Sequence, residues 1–136
     1  MMGWLFLGLA SSSLWSETAL ESQMNTMKVA LRSLKLALQT PVESEKEKYL
    51  GYADTLLSAA AKAKELEPKM TAKISEAERA QFLASYHKSI EDLIVLLEQL
   101  KKQLNSGDWE AARAQIRLIN RAQGEGHGKF RDESPW

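Results

Sequence analysis

Apolar residues recur along this chain at alternating intervals of three and four positions, and this spacing limits its fold more than any other feature. It places the apolar side chains on one face of an α-helix, because a helix completes a turn in about 3.6 residues. The pattern predicts four helices and an all-α protein. The apolar positions are Leu20, Met24, Met27, Leu31, Leu34 and Leu38; Tyr49, Ala53, Leu56, Ala60 and Ala63; Leu83, Tyr86, Ile90, Leu93, Leu97, Leu100 and Leu104; and Trp109, Ala112, Ile116 and Ile119, continuing through Gln123 and Gly126 or His127 to Phe130.

The starts of these helices are marked by residues that satisfy the free N–H groups of a first turn. Thr18, Thr40 and Ser75 each precede a glutamate by three positions, which is the capping-box pattern. Gly107 and Asp108 mark the fourth start, since glycine can end one helix in a left-handed turn and aspartate can cap the next. Each helix is therefore predicted to begin at one of these sites.

The links between the helices determine how the helices pair. Those at 39–41 and 105–108 are so short that the chain must turn back, and the longer link at 67–74 also connects neighbours. We predict one domain at 18–131, folded as an antiparallel up-down-up-down four-helix bundle, followed by a tail at 132–136. In this bundle the start of the first helix and the end of the fourth lie at the same end.

Residues 1–17 precede the predicted bundle and contain an apolar run, Trp4 to Ala10, followed by small residues. The run is shorter than the roughly 20 apolar residues that cross a bilayer, and it is typical of a secretory signal. The basic segment that usually precedes such a run is missing, because the first Lys or Arg is Lys28. We predict a signal peptide, export and no stable membrane insertion after its removal. The alternative is an apolar extension packed on the bundle.

The composition argues against several classes of function. Eighteen Lys and Arg balance eighteen Asp and Glu, so the overall charge does not favour nucleic acid as a partner. The chain has no cysteine, which excludes disulfides, thiolate metal ligands and a thiol nucleophile. With two histidines and no H-E-x-x-H pattern, a catalytic metal site is not indicated, and we predict that the protein is not an enzyme.

Two side chains that can bind iron fall at the shared end of the predicted bundle. Met24 lies about 9 Å into the first helix, counted from Thr18, and His127 lies about 6 Å from the end of the fourth, near Arg131. Both belong to inward-facing stripes, so a thioether and an imidazole can face each other. Cytochromes use this axial pair, which leaves no coordination site for oxygen and indicates electron transfer.

Each of these residues also has an ordinary structural interpretation. A methionine on an apolar stripe usually fills the core, and a histidine near a helix C-terminus interacts favourably with the helix dipole. Met27 lies one turn after Met24 and is the alternative sulfur ligand. The second histidine, His87, follows Tyr86 and is expected to lie off the main stripe, solvated or partly packed.

Three strings in the sequence resemble the cytochrome b562 family over about residues 18 to 131. They are Leu20-Glu-Ser-Gln-Met24-Asn-Thr26-Met27, the turn Asn105-Ser-Gly107 and the closing His127-Gly-Lys129-Phe130-Arg131. The family is itself a standard example of the up-down-up-down bundle. The resemblance implies a periplasmic protein that binds one non-covalent haem b, with Met24 and His127 as ligands and a redox protein as partner. It further implies Tyr86 as an aromatic against the haem and Arg131 as a closing basic residue.

Gly124, Gly126 and Gly128 surround His127, and each helical glycine costs roughly 1 kcal/mol relative to alanine. We expect the last turn to depend on haem for its order, and the glycines to let a flat ligand approach the backbone. Two other functions fit the same bundle. One is a haem-free periplasmic interaction bundle, and the other is a bundle that binds a transition metal through His87, His127 and carboxylates.

Overall fold

Four α-helices joined by short connections make up the structure. The computed structural model describes the backbone of residues 2–130 and the side chains of residues 19–130. Within this part of the chain no strand is present, which confirms the all-α four-helix prediction. The α-helices are α1 (Met2–Ala37), α2 (Lys46–Lys64), α3 (Glu76–Ser106) and α4 (Trp109–Phe130), with short 3-10 helices at Glu43–Glu45 and Lys69–Lys73.

The predicted starts of α3 and α4 are confirmed. α3 begins directly after Ser75, whose backbone carbonyl accepts a 3.0 Å hydrogen bond from the N–H of Glu78, although its hydroxyl makes no capping bond. Asp108 caps α4, because its Oδ1 accepts a 3.1 Å bond from the N–H of Ala111. Gly107 ends α3 with a φ of 74°, the left-handed conformation that the turn requires.

The predicted starts at Thr18 and Thr40 are wrong. The backbone of α1 is helical from Met2 and passes through Thr18 without interruption. α2 begins only at Lys46, because the residues after Thr40 form an extended segment and a 3-10 turn. There the N–H of Val42 donates a 2.9 Å hydrogen bond to the hydroxyl of Tyr49. A side chain from within α2 thus satisfies a backbone donor in the segment that precedes the helix.

The helices are packed unequally. α2 packs closely on α1 and α3, and α3 packs closely on α4, whereas α1 and α4 touch sparsely. Small residues allow the close approach of α2, whose buried positions include Ala53, Ala59, Ala60 and Ala63. The seam between α1 and α4 is therefore the loosest of the bundle. Among the described residues, no helix is both long and apolar enough to cross a lipid bilayer.

Arg113 sets the relative height of α1 and α4. Its guanidinium donates a 2.9 Å hydrogen bond to the backbone carbonyl of Leu38, at the end of α1. Because the start of α4 lies there while its end shares a cleft with Met24, the two helices run antiparallel. A cation at this position also complements the negative end of the helix dipole. Fourteen residues back from Leu38 and fourteen onward from Arg113 reach similar heights, because both helices rise equally per residue. Those positions are Met24 and His127.

Candidate functional site

A cleft lies near one end of the bundle, between α1, α3 and α4. The space between its walls is about 480 Å³, a volume that includes open solvent. Its lining is mostly apolar, with a few polar groups from α3 and α4. The lining residues are Leu20 and Met24; Pro68; Tyr86, Ser89, Ile90 and Leu93; and Ala122, Gln123, Gly126, His127 and Phe130.

Met24 and His127 both line this cleft, one on α1 and the other on α4. Each is half-buried, so each can contact a molecule in the cleft while packing on the protein. The structure thus brings together the two residues predicted as ligands, even though the predicted helix start at Thr18 was wrong. Met27 is fully buried in the core and does not line the cleft. Its sulfur therefore contributes to packing.

Tyr86 lines the cleft with its ring and directs its hydroxyl elsewhere. The hydroxyl donates a 2.5 Å hydrogen bond to the backbone carbonyl of Ala63 in α2. The side chain is only 2% exposed, and this burial raises the pKa of the phenol above its ordinary value, because the charged form is desolvated. At this position the cleft is therefore lined by the apolar face of an aromatic ring.

Phe130, the last residue of α4, is a second aromatic of the cleft. Its ring makes edge contacts with the rings of Phe82 and Tyr86, with centroid distances of 5.5 Å in both cases. The sequence predicted only that Phe130 ends an apolar stripe. Its role in the lining depends on a contact between α3 and α4 that is not encoded in either stripe alone.

Pro68, Ser89 and Ala122 also line the cleft and were not predicted from the sequence. Ser89 lies three residues after Tyr86, on the adjacent helical position, so the spacing from Tyr86 is a signal that could have identified it. Pro68 comes from the connection between α2 and α3, and no helical pattern marks it.

Of the three glycines around His127, only Gly126 lines the cleft. A Cβ atom at Gly126 would lie 3.8 Å from the Oγ of Ser89, which is ordinary van der Waals contact. At Gly124 and Gly128, which are exposed, an added Cβ would meet nothing within 4 Å. The predicted close approach of a ligand to the backbone is therefore restricted to Gly126.

The remaining candidate residues lie outside the cleft or outside the described part of the chain. His87 is half-buried, with its ring centroid 5.7 Å from that of Tyr86, and it does not line the cleft. Residues 19–130 contain no cluster of three or more His, Cys, Asp or Glu side chains that could hold a metal ion, as the transition-metal alternative requires. Arg131 and the predicted tail at 132–136 lie outside the described residues, as do the side chains of the predicted signal peptide.

The fold and the cleft define a class of protein, which is the antiparallel four-helix bundle with a mostly apolar cleft near one end. The chain belongs to the cytochrome b562 family, whose model matches residues 19–131. This family comprises haem-binding helical bundles that transfer electrons, and it implies a b-type haem as cofactor. No curated protein matches the sequence.

Proposed function

We propose that this protein is a periplasmic electron carrier that binds one non-covalent haem b, with Met24 and His127 as the axial ligands. One observation carries the proposal. In a member of the cytochrome b562 family, a thioether and an imidazole from two different helices line a single, mostly apolar cleft.

The residues of the cleft fit this cofactor. Leu20, Ile90 and Leu93 offer apolar surface to a flat macrocycle, and the rings of Tyr86 and Phe130 add aromatic surface. Sulfur and imidazole nitrogen are both established axial donors to haem iron. The chain has no cysteine for covalent attachment, so ligation and packing must hold the group.

The proposed ligands favour electron transfer over oxygen chemistry. The haem, when bound, supplies an iron centre that exchanges one electron. Two protein ligands leave no iron position for oxygen, and a thioether stabilises the reduced iron and raises its potential. The apolar walls would reduce the contact of the bound group with water, which also affects the potential. These properties support an electron carrier without catalytic activity of its own.

The periplasmic location rests on the N-terminal apolar run and on the family. We propose that residues 1–17 direct export and are removed, which leaves the bundle to bind haem outside the cytoplasm. The partner in this proposal is another redox protein.

Haem titration of the full bundle, followed by absorption spectroscopy, tests the function. We expect the wild type to show the bands of six-coordinate low-spin iron in the reduced state. Both Met24→Ala and His127→Ala should lose these bands, because each removes one axial donor. Met27→Ala is the matched control and should keep them. A wild-type spectrum identical to that of free haem would contradict the proposal and favour the haem-free interaction bundle.

A further inference from the structure

Six cationic side chains are exposed on the described parts of the two helices that form the loose seam, and five of them lie away from the last turn of α4, which carries Lys129. Lys28, Arg32 and Lys35 are spaced by four and three residues on α1, and Arg117 and Arg121 are spaced by four on α4. Each spacing places the side chains of one helix on a common face. We call these five residues the basic band.

Helical spacing places part of each half of the basic band toward the seam. Gln23 and Thr26 of α1 line a polar groove with residues of α2, so they mark the flank of α1 that faces α2. On helical spacing, Lys28 and Lys35 lie on the opposite flank of the apolar stripe, which faces α4. On α4, Arg117 lies one turn after Arg113, whose guanidinium reaches the end of α1.

The basic band differs from the other charged surface of the described part of the protein in its lack of ion pairs. On the other side of the bundle, ion pairs join α2 to α3, with 2.7 Å between Lys101 and Asp54 and 3.9 Å between Lys64 and Glu91. No side chain of the basic band makes an ion pair with any residue in 19–130. The chain as a whole is neutral, so this positive surface is a local feature.

Two large apolar side chains are exposed among these cations. Val29 is 55% exposed and Leu36 is 58% exposed, and both flank Arg32 on the outer face of α1. Protein interfaces combine apolar contacts with surrounding polar and charged groups, whereas binding to a phosphate backbone depends mainly on cations. The mixture therefore favours a protein partner.

The basic band lies next to the candidate site. Lys28 is one turn beyond Met24, about 6 Å along α1, and Arg121 is about 9 Å along α4 from His127. A protein held on the band would therefore lie close to the cleft. Short distance matters here, because electron transfer between proteins slows steeply as the redox centres are separated.

We propose that the basic band is the docking surface for a redox partner protein with an acidic surface patch. This inference rests on the proposed electron-transfer function. Opposite charges would steer the encounter and orient the cleft toward the partner, as complementary fields do in fast, weak complexes. Redox encounters usually bury less than about 1,200 Å², an area that exposed parts of α1 and α4 can supply.

The test uses the haem-loaded full chain and a fluorescently labelled plant-type ferredoxin, a small and strongly acidic redox protein, as the probe. Fluorescence anisotropy should show binding at low ionic strength that weakens with added salt, because exposed charges are screened over about 10 Å at 0.1 M. We expect Lys28→Gln/Arg32→Gln/Lys35→Gln to weaken binding about tenfold or more. The control Lys88→Gln/Lys101→Gln/Lys102→Gln removes the same charge from α3 and should change affinity by less than about twofold.

A kinetic measurement examines the same surface without a protein partner. Oxidation of the reduced haem protein by ferricyanide, an anion, should be slower in the α1 triple variant than in the control. Oxidation by a cationic cobalt complex should change in the opposite direction, because the local field has been reduced.

Three results would overturn the docking proposal. One is the absence of wild-type binding to the ferredoxin. Another is an equal loss of ferredoxin affinity in both triple variants, which would show that binding depends on net charge and not on the position of the cations. The third is preferential binding to vesicles of phosphatidylcholine and phosphatidylglycerol in equal amounts, which would assign the band to a membrane surface. Failure of the electron-transfer function itself is distinguishable, because it appears as missing low-spin haem bands in the unmixed protein.

Discussion

At the residue scale, Tyr86 contributes to both the bundle and the cleft. Its hydroxyl joins α3 to α2 through the carbonyl of Ala63, while its ring faces the cleft and the edge of Phe130. The interpretation of Tyr86 as an aromatic against the haem stays a prediction. The apolar stripe of α3 could not predict the hydrogen bond to α2, because this bond depends on which helix lies opposite Tyr86.

The buried phenol of Tyr86 should make the stability of the protein depend on alkaline pH. Burial raises its pKa above the unfolded value of about 10, so the folded state keeps a proton that the unfolded chain releases. Its stabilising contribution is therefore complete below about pH 10 and decreases as the pH rises further. We expect urea denaturation of Tyr86→Phe to show a shallower loss of unfolding free energy above about pH 10 than the wild type.

At neutral pH the same substitution should cost about 0.5 to 1.5 kcal/mol, the usual value of one hydrogen bond. Equal pH slopes for the wild type and Tyr86→Phe would show that this phenol does not titrate differently in the two states.

Met24 and Met27 differ in burial, and this difference separates two roles for neighbouring methionines. Met27 is fully buried, so Met27→Ala should lower the unfolding free energy of the haem-free protein by about 2 to 5 kcal/mol. Met24 is half-buried, so Met24→Ala should cost less in the haem-free protein. In the haem-loaded protein, we expect only Met24→Ala to change the low-spin bands. Urea denaturation and absorption spectroscopy on the same samples measure both effects. Loss of these bands in Met27→Ala alone would identify Met27 as the ligand.

At the element scale, the turn between α3 and α4 depends on one backbone conformation. Gly107 has a φ of 74°, and a Cβ there would lie 3.4 Å from the Oε2 of Glu43. We expect Gly107→Ala to destabilise the protein by about 1 to 2 kcal/mol, because residues with a Cβ are strained in this region. Gly51→Ala is the matched control, since Gly51 lies inside α2 with open space around it. It should stabilise by about 0.5 to 1 kcal/mol, and thermal unfolding distinguishes the two signs.

The end of α4 offers a second matched pair of glycines. Gly124→Ala and Gly126→Ala should both favour the helix by about 1 kcal/mol. Only Gly126 lines the cleft, so we expect only Gly126→Ala to weaken haem binding, as measured by competition with apomyoglobin. Equal affinities for the two variants would show that the bare backbone at Gly126 is not needed by the cofactor.

The helices themselves were predictable because their apolar spacing is a local pattern, and so were the starts that depend on local residues, at Ser75 and at Asp108. The start of α2 was not, since its true boundary depends on the Tyr49 hydroxyl reaching back seven residues to Val42. The start of α1 was misplaced because a capping box at Thr18 can also occur inside a continuous helix. Capping patterns describe where a helix can begin, and tertiary contacts determine where it does.

At the scale of the whole molecule, the joint position of Met24 and His127 was predictable from topology. Antiparallel helices and short turns bring the region of α1 around Met24 close to the end of α4, whatever the first residue of α1. The breadth of the cleft was not predictable, because it depends on how loosely α1 and α4 are packed compared with the other helix pairs. The apolar pattern of a single helix contains no information on the separation between two helices.

Haem should stabilise this loose part of the molecule most. Binding adds about 2.7 kcal/mol when free haem is a hundredfold above its Kd, and it thereby raises the Tm. We expect hydrogen exchange to slow chiefly at 20–24 and 122–130, which carry the cleft, and less in the region of α3 at 97–104, where Leu97, Leu100 and Leu104 are already buried. Uniform slowing along the chain would indicate that the cleft is as rigid as the core before haem binds.

The alanines of α2 have a consequence for protein design. Ala53, Ala59, Ala60 and Ala63 let α2 lie close to both α1 and α3, so these three helices form a tightly packed support. The cleft borders that support on one side and α4 on the other. A designer who wishes to accommodate a synthetic porphyrin can therefore vary the α4 wall, at Ala122, Gln123 and Gly126, and leave the contacts of α2 unchanged.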